Sequence, residues 1–128
     1  MQREFAGFCS DSDILQVMAS DKGEILVLST TESLELARRI AAALVKAREA
    51  ACVNIVAGVI SIYRWQGEDC ESQEWLMLIK SSAERFEAVR ARIRGMHSYE
   101  LPEVIALPIV AGDTDYLHWI AEQLGGNN

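Results

Sequence analysis

The stretch of sequence richest in metal-binding groups is HSYELPE at 97 to 103, which places a histidine close to two carboxylates. Pro102 biases Leu101 away from helical angles, so the segment is expected to form an ordered turn entering a strand. Imidazole and carboxylate together suit Cu(II) or Zn(II), which makes His97 and Glu103 candidate metal ligands. The same residues also fit a structural role, in which His97 caps the preceding helix near its negative end and Glu103 pairs with a base.

A second set of residues has side chains of the types that bind small ligands. Tyr63 and Trp65 offer ring faces for stacking, and Arg64 between them offers a planar cation, although aromatic residues on a hairpin also serve as interface packing. Cys52 lies among apolar neighbours, where a cysteine is typically a small buried hydrophobe. Lys80 ends a predicted strand, where it either binds an anion or is simply solvated.

Signatures of catalysis and nucleotide binding are missing from the sequence. It contains no GxSxG, no HExxH, no P-loop and no GxGxxG, and its histidines are His97 and His118. With no nucleophile and base in a readable pattern, no reaction class can be named. We therefore expect a binding protein rather than an enzyme.

The elements that must position these residues begin at Gly23. The run EILVLST that follows has the short, apolar, β-rich character of a buried strand. Residues 32 to 49 predict an amphipathic helix, because Leu36, Ile40 and Leu44 fall on one face at helical spacing.

Two β-rich runs, 51 to 65 and 71 to 80, predict a long hairpin. The QGED segment joins them, and its Gly67 permits a tight turn. Both faces of the hairpin are partly apolar, so one face needs a cover beyond a single protomer. Trp75 and Ile62 are expected on this uncovered face, and an exposed apolar patch of this kind normally marks an oligomer contact.

The second half of the chain predicts a helix, a strand and a terminal helix. Ser81 and Glu84 read as a capping box that starts the second helix. The strand at 104 to 110 is interrupted by Pro108, which places the proline at an edge or at the strand's end. Residues 116 to 124 can form a short helix. The order β-α-β-β-α-β predicts an α+β, ferredoxin-like sandwich with its helices on one face.

Length and composition indicate one globular domain of residues 23 to 128, preceded by an extension of residues 1 to 22 with weak periodicity. The net charge of −7 repels phosphate backbones and anionic headgroups, so neither nucleic acid nor membrane is an expected partner. Three widely spaced cysteines, Cys9, Cys52 and Cys70, predict no disulfide framework. The first residues do not resemble a signal peptide, which favours a cytoplasmic location.

Several strings occur in the order and spacing of one known family: AACVN at 50 to 54, SIYRWQG at 61 to 67 and HSYELPE at 97 to 103. In these strings the chain resembles the CutA divalent-cation tolerance family, over about residues 24 to 124. The resemblance implies a ferredoxin-like homotrimer whose sheets pack against one another and extend edge to edge. The architecture is also similar to that of PII signalling proteins, which implies a cleft between subunits. Its lining here would comprise Cys52, Tyr63, Trp65, Lys80, His97, Tyr99 and Glu103.

Three positions depart from the family pattern. Ser29 stands where bacterial members discussed as copper binders carry a cysteine at the end of the first strand, so the soft thiolate expected in this cleft is missing. Ser98 replaces the proline of the family's HPYE string, and Thr31 replaces a proline near the first helix, so both loops are expected to be less rigid.

These observations leave three functions open. The first is a divalent-cation tolerance protein that requires no cofactor and binds copper or another divalent metal weakly at subunit clefts through His97 and Glu103. The second is a PII-like trimeric binding or signalling adaptor whose cleft takes a small anionic ligand through Lys80 and Arg64. The third is an oligomeric scaffold that needs no ligand.

Overall fold

A computed structural model describes residues 23 to 125 of the chain. The extension predicted for residues 1 to 22 lies outside the described residues. The strands are β1 (Glu24–Thr31), β2 (Cys52–Trp65), β3 (Glu68–Ser82) and β4 (Ile105–Pro108), and the helices are α1 (Leu34–Lys46), α2 (Phe86–Met96) and α3 (Thr114–Gln123). Within residues 23 to 125, no helix is long and apolar enough to cross a membrane.

The strands form one antiparallel sheet in the order β2-β3-β1-β4. Helices α1 and α2 pack together on one face of this sheet, and the main core lies between them and the central strands. Side chains from all four of these elements are at most 1% exposed: Ile25, Val27, Ile40, Leu44, Met77, Ile79, Val89 and Ile93. The predicted α+β, ferredoxin-like order is confirmed, with α3 added after the last strand.

Helix α1 is shorter than the predicted span of 32 to 49. It starts after Ser33, whose Oγ accepts a hydrogen bond from the Leu36 N–H at 3.1 Å. It ends at Lys46, and Arg48 then adopts a left-handed conformation with φ of 59°. The chain thus leaves the helix through an arginine at a position where glycine is usual.

The capping box predicted at Ser81 and Glu84 is wrong. Strand β3 continues to Ser82 because Ser81 and Ser82 still pair with β1. The Ser81 Oγ faces inward and donates to the Glu49 carbonyl at 2.6 Å. A 3-10 turn, Ala83–Arg85, then leads into α2 without a side-chain cap. Sheet pairing, which a local motif cannot reveal, sets the start of this helix.

The long hairpin contains a β-bulge that the sequence analysis did not predict. Val56 pairs with Leu76 and Val59 with Glu74, so two residues of β2 lie opposite one residue of β3. Gly58, within the bulge, has φ of 82°. The hairpin closes through a two-residue loop at 66 and 67, where both φ angles are positive, as a type I′ turn requires.

The bulge changes which side chains of β2 face away from the helices. Trp75 and Ile62 were expected on the uncovered face, and this prediction is wrong: Trp75 packs against the helix-side core, and the register places Ile62 on the same side. The face opposite α1 and α2, here called the outer face, is apolar through other residues. By register they are Leu26, Leu28, Val56, Leu76, Leu78, Ile105 and Leu107.

The outer face stays partly open in the protomer. Val56, Ile105 and Leu107 are 41%, 50% and 46% exposed. Antiparallel sheets that face water on one side normally carry polar side chains there. The predicted open apolar face therefore exists, although its residues differ from those expected.

Candidate functional site

His97 ends α2, and its ring is held by two hydrogen bonds. The ring Nε2 lies 2.7 Å from the Thr30 carbonyl oxygen, and Nδ1 accepts the Tyr99 backbone N–H at 3.0 Å. Because a carbonyl can only accept, Nε2 carries the proton and the neutral ring has no free nitrogen lone pair. A metal ion could bind His97 only by displacing one of these bonds.

An acidic end of the outer face is formed by Glu74, Tyr99 and Glu103. The Tyr99 hydroxyl donates to Glu74 Oε2 at 2.6 Å, and Glu74 is only 6% exposed. Burial and this carboxylate raise the pKa of Tyr99 above its usual value. Burial and the Glu74 carboxylate likewise raise the pKa of Glu103. Negative charge is thus concentrated here, which favours a cation.

Tyr63 borders the acidic end from the hairpin. Its hydroxyl lies 2.7 Å from Ser72 Oγ on the same face of β2 and β3. The tyrosine is 44% exposed, and Trp65, two residues further along, is 39% exposed. Both rings are placed on the outer side by the bulge.

A second group, here called the thiol–ammonium cluster, comprises Cys52, Asn54, Lys80 and Tyr116. Cys52 and Lys80 are direct neighbours across β2 and β3. The Asn54 side-chain oxygen accepts from Lys80 Nζ and, at 3.9 Å, from Cys52 Sγ. Burial and the nearby Cys52 thiol raise the pKa of Tyr116. Among residues 23 to 125, no carboxylate forms an ion pair with Lys80.

The predicted cleft residues therefore form two groups within one protomer. Lys80 and Glu74 are six residues apart along β3, about 20 Å at the rise of an extended strand. Arg64 lies on the opposite face from Lys80 and pairs with Asp69 at 3.0 Å. Only contacts between copies could bring the two groups into one cleft.

Ser29 faces the helices rather than the outer face. It is fully buried opposite Met77, and its Oγ has no hydrogen-bond partner among the described residues. In the protomer it is separated from Cys52 and Lys80 by the thickness of the sheet. Within the part of the chain that the structure describes, no group of three or more His, Cys, Asp and Glu side chains is placed to hold a metal ion.

Sequence reasoning identified His97, Tyr99, Glu103, Cys52 and Lys80 but missed three of their partners. Glu74 precedes a tryptophan in a long strand and carries no local signal of burial. Asn54 lies in the recognised string AACVN, and Tyr116 lies in the predicted terminal helix, but neither was assigned to a site. Their roles depend on strand register and on where α3 docks.

The order and pairing of these elements define a ferredoxin-like α+β protein. The sequence model described as CutA1 divalent ion tolerance protein matches residues 25–123. The chain belongs to this CutA1 family.

Proteins similar in sequence and in structure match this chain over most of the described residues. The divalent-cation tolerance protein CutA of Thermus thermophilus is 51% identical over 102 residues, covering 80% of this chain and 99% of that protein. Its solved structure has a TM-score of 0.76 and covers 78% and 97% of the two chains. The mouse protein CutA is 43% identical over 71% of this chain, but the match spans only 51% of the mouse protein.

A solved CutA structure from Archaeoglobus fulgidus is 38% identical, with a TM-score of 0.77 and coverage of 79% and 98%. That protein is described as periplasmic. The cytoplasmic location of this chain consequently stays a prediction.

Proposed function

We propose that this chain acts in divalent-cation tolerance as a homotrimer that binds a divalent metal ion weakly in clefts where copies meet on the outer face. The open apolar outer face is the observation that carries the proposal. Its aliphatic side chains gain about 25 cal/mol for each Å² removed from water, and a second copy is an occupant of matching chemistry. The sheet edges at β2 and β4 offer unpaired backbone groups for the same contact.

The acidic end supports a cation as the ligand. Glu103 and Glu74 repel each other, and a bound cation would relieve that repulsion. His97 can add a nitrogen donor if Tyr99 releases Nδ1. That cost, together with the small number of donors in one protomer, makes weak binding the expected result.

Copper is the metal expected to bind most tightly. The Irving–Williams order places Cu(II) above Zn(II) at a site with imidazole and carboxylate donors, and Mg(II) prefers oxygen donors alone. Binding should weaken as the pH is lowered, because protons compete with the metal ion for its donor atoms.

Calorimetric titration of Cu(II) into the full chain tests this site. His97→Ala and Glu103→Gln should each weaken binding about tenfold or more, because each removes one of few donors. His118→Ala is the matched control, since His118 is an exposed histidine on α3 and should leave binding unchanged. Unchanged Cu(II) affinity in both His97→Ala and Glu103→Gln would show that the metal ion does not bind at this end of the sheet.

A small anion is a second candidate ligand, favoured by the Lys80 ammonium, which forms no ion pair within the described part of the chain. A thermal-shift screen separates the possibilities. Micromolar Cu(II) should raise the melting temperature of a metal binder, an anion that of an effector binder, and neither should affect a scaffold.

A further inference from the structure

Helix α3 is attached to the domain through a small apolar cluster of its own. Ile120 and Leu124 are 0% and 4% exposed and pack with Ala51 and Leu117, apart from the main core. An element held by few apolar contacts outside the main core can open without unfolding the rest of the protein. Ala51 of this cluster directly precedes Cys52 in the chain.

Two arginines from other elements hold the C-terminal end of α3. Arg48 Nη1 donates to the Gln123 carbonyl at 2.7 Å, and Arg85 Nη2 donates to the Leu124 carbonyl. The last carbonyls of a helix lack intrahelical partners and carry partial negative charge, so cationic donors suit them. Together the two arginines hold the C-terminal end of α3 against the rest of the domain.

Arg48 makes this contact from an unfavourable backbone conformation. Its φ of 59° lies in the left-handed region, where the backbone of a non-glycine residue is strained. Glycine would satisfy the backbone at this helix end, but it has no side chain to make the contact with α3 that Arg48 makes. The Arg48 contact with α3 is therefore made by a residue type that this backbone conformation disfavours.

The first turn of α3 carries Tyr116, which belongs to the thiol–ammonium cluster. Asp113 caps the helix by accepting the Tyr116 N–H at 3.1 Å, which fixes the first turn. From this turn the Tyr116 ring stacks on Trp119, with centroids 5.6 Å apart. Burial and the neighbouring Cys52 thiol raise the pKa of Tyr116. Cys52 is half-buried.

We propose that α3 is a movable cover over Cys52, the cross-strand neighbour of Lys80, and that the Arg48 and Arg85 contacts with its C-terminal carbonyls hold it closed. This inference rests on the proposed function, because the cover would control access to the part of the subunit cleft that contains Cys52. Opening separates Tyr116 from Cys52 while the main core, which α3 does not share, stays folded. Arg48 and Arg85 are thus positioning residues for Tyr116.

Arg48→Gly tests the cover without harming the fold. Glycine relieves the strained φ but removes the guanidinium, so the domain should melt no lower while α3 opens more often. Pulsed alkylation of the full chain, resolved by peptide mass spectrometry, should show Cys52 modified on the order of tenfold faster, as expected for losing one charge-assisted hydrogen bond. Deuterium uptake should rise in α3 and not in α2.

Cys70 and Arg38→Ala serve as controls. Cys70 lies on the hairpin far from α3, so its alkylation rate in Arg48→Gly should stay at the wild-type value. Arg38→Ala removes an exposed charge inside α1 and should leave Cys52 unaffected. Equal or slower alkylation of Cys52 in Arg48→Gly would overturn the proposal, as would an equal acceleration at Cys70. Because no metal is added, failure of Cu(II) binding would not decide this result.

Discussion

Two buried serines on the helix-facing side of the sheet show how differently the same side chain can contribute. Ser29 and Ser81 are both fully buried. The Ser81 hydroxyl donates to the Glu49 carbonyl, whereas the Ser29 hydroxyl has no partner among the described residues. A buried hydroxyl without a partner costs stability, and one with a partner contributes modestly.

Ser29→Ala and Ser81→Ala should therefore have opposite effects. We expect Ser29→Ala to be neutral or stabilising by up to about 1 kcal/mol, and Ser81→Ala to destabilise by about 1–2 kcal/mol because it leaves the Glu49 carbonyl unpaired. Urea unfolding midpoints at one fixed protein concentration give both values. A clear loss of stability in Ser29→Ala would reveal a partner for its hydroxyl.

The location of Ser29 also bears on copper. A cysteine at this position would point into the core, away from Cys52 and Lys80. The family pattern implied that a soft donor is missing from the cleft. Within a protomer, however, position 29 lies on the helix-facing side of the sheet, opposite the outer face.

Individual residues of the candidate site could be predicted from the sequence, but their hydrogen-bond partners could not. His97 and Glu103 were found from one string because imidazole and carboxylate are donor types that suit Cu(II) or Zn(II). The bond from His97 to the Thr30 carbonyl spans 67 positions and depends on β4 ending before it reaches that carbonyl. Sequence spacing carries no information about such a contact.

Among the elements, the β2–β3 hairpin determines most of the site, and its bulge is decisive. A regular hairpin continued from the pair Trp65 and Glu68 would place Cys52 opposite Ser81 and turn it toward the core. The extra residue at the bulge shifts the register so that Cys52 lies opposite Lys80 on the outer face. The thiol–ammonium cluster exists because of this shift.

The isolated Gly58 within a strand was the available signal for the bulge. The order and type of the elements were predictable, because apolar periodicity reports helices and strands directly. Register, the bulge and the start of α2 were not, because they depend on pairing between distant segments.

Substitution of Gly58 should show that the bulge needs its left-handed backbone. Gly58→Ala adds a methyl group with no neighbour within 4 Å, so only the φ of 82° opposes it, at about 1–2 kcal/mol. Gly95→Ala is the matched control: it also meets no neighbour, but it lies inside α2 and should stabilise by about 0.5–1 kcal/mol. Thermal or urea unfolding of both variants measures the difference, and the same sign in both would contradict this role for the bulge.

For the whole molecule, the central claim is that the outer face is an interface between copies. Leu107 and Leu34 are similarly exposed, at 46% and 39%, but only Leu107 lies on the outer face. Leu107→Asp should break the assembly, because burying an unpaired charge at an interface costs several kcal/mol. Leu34→Asp places a carboxylate in the first turn of α1, where it is tolerated, and should leave the assembly intact.

Light scattering of the full chain at micromolar concentration, with these two variants measured alongside, tests this claim most directly. The predicted mass of the wild type and of Leu34→Asp is about three times the protomer mass of 14.2 kDa, with a smaller mass for Leu107→Asp. A wild type that scatters as a 14.2 kDa monomer would contradict the account, since the apolar outer face would then remain open in solution.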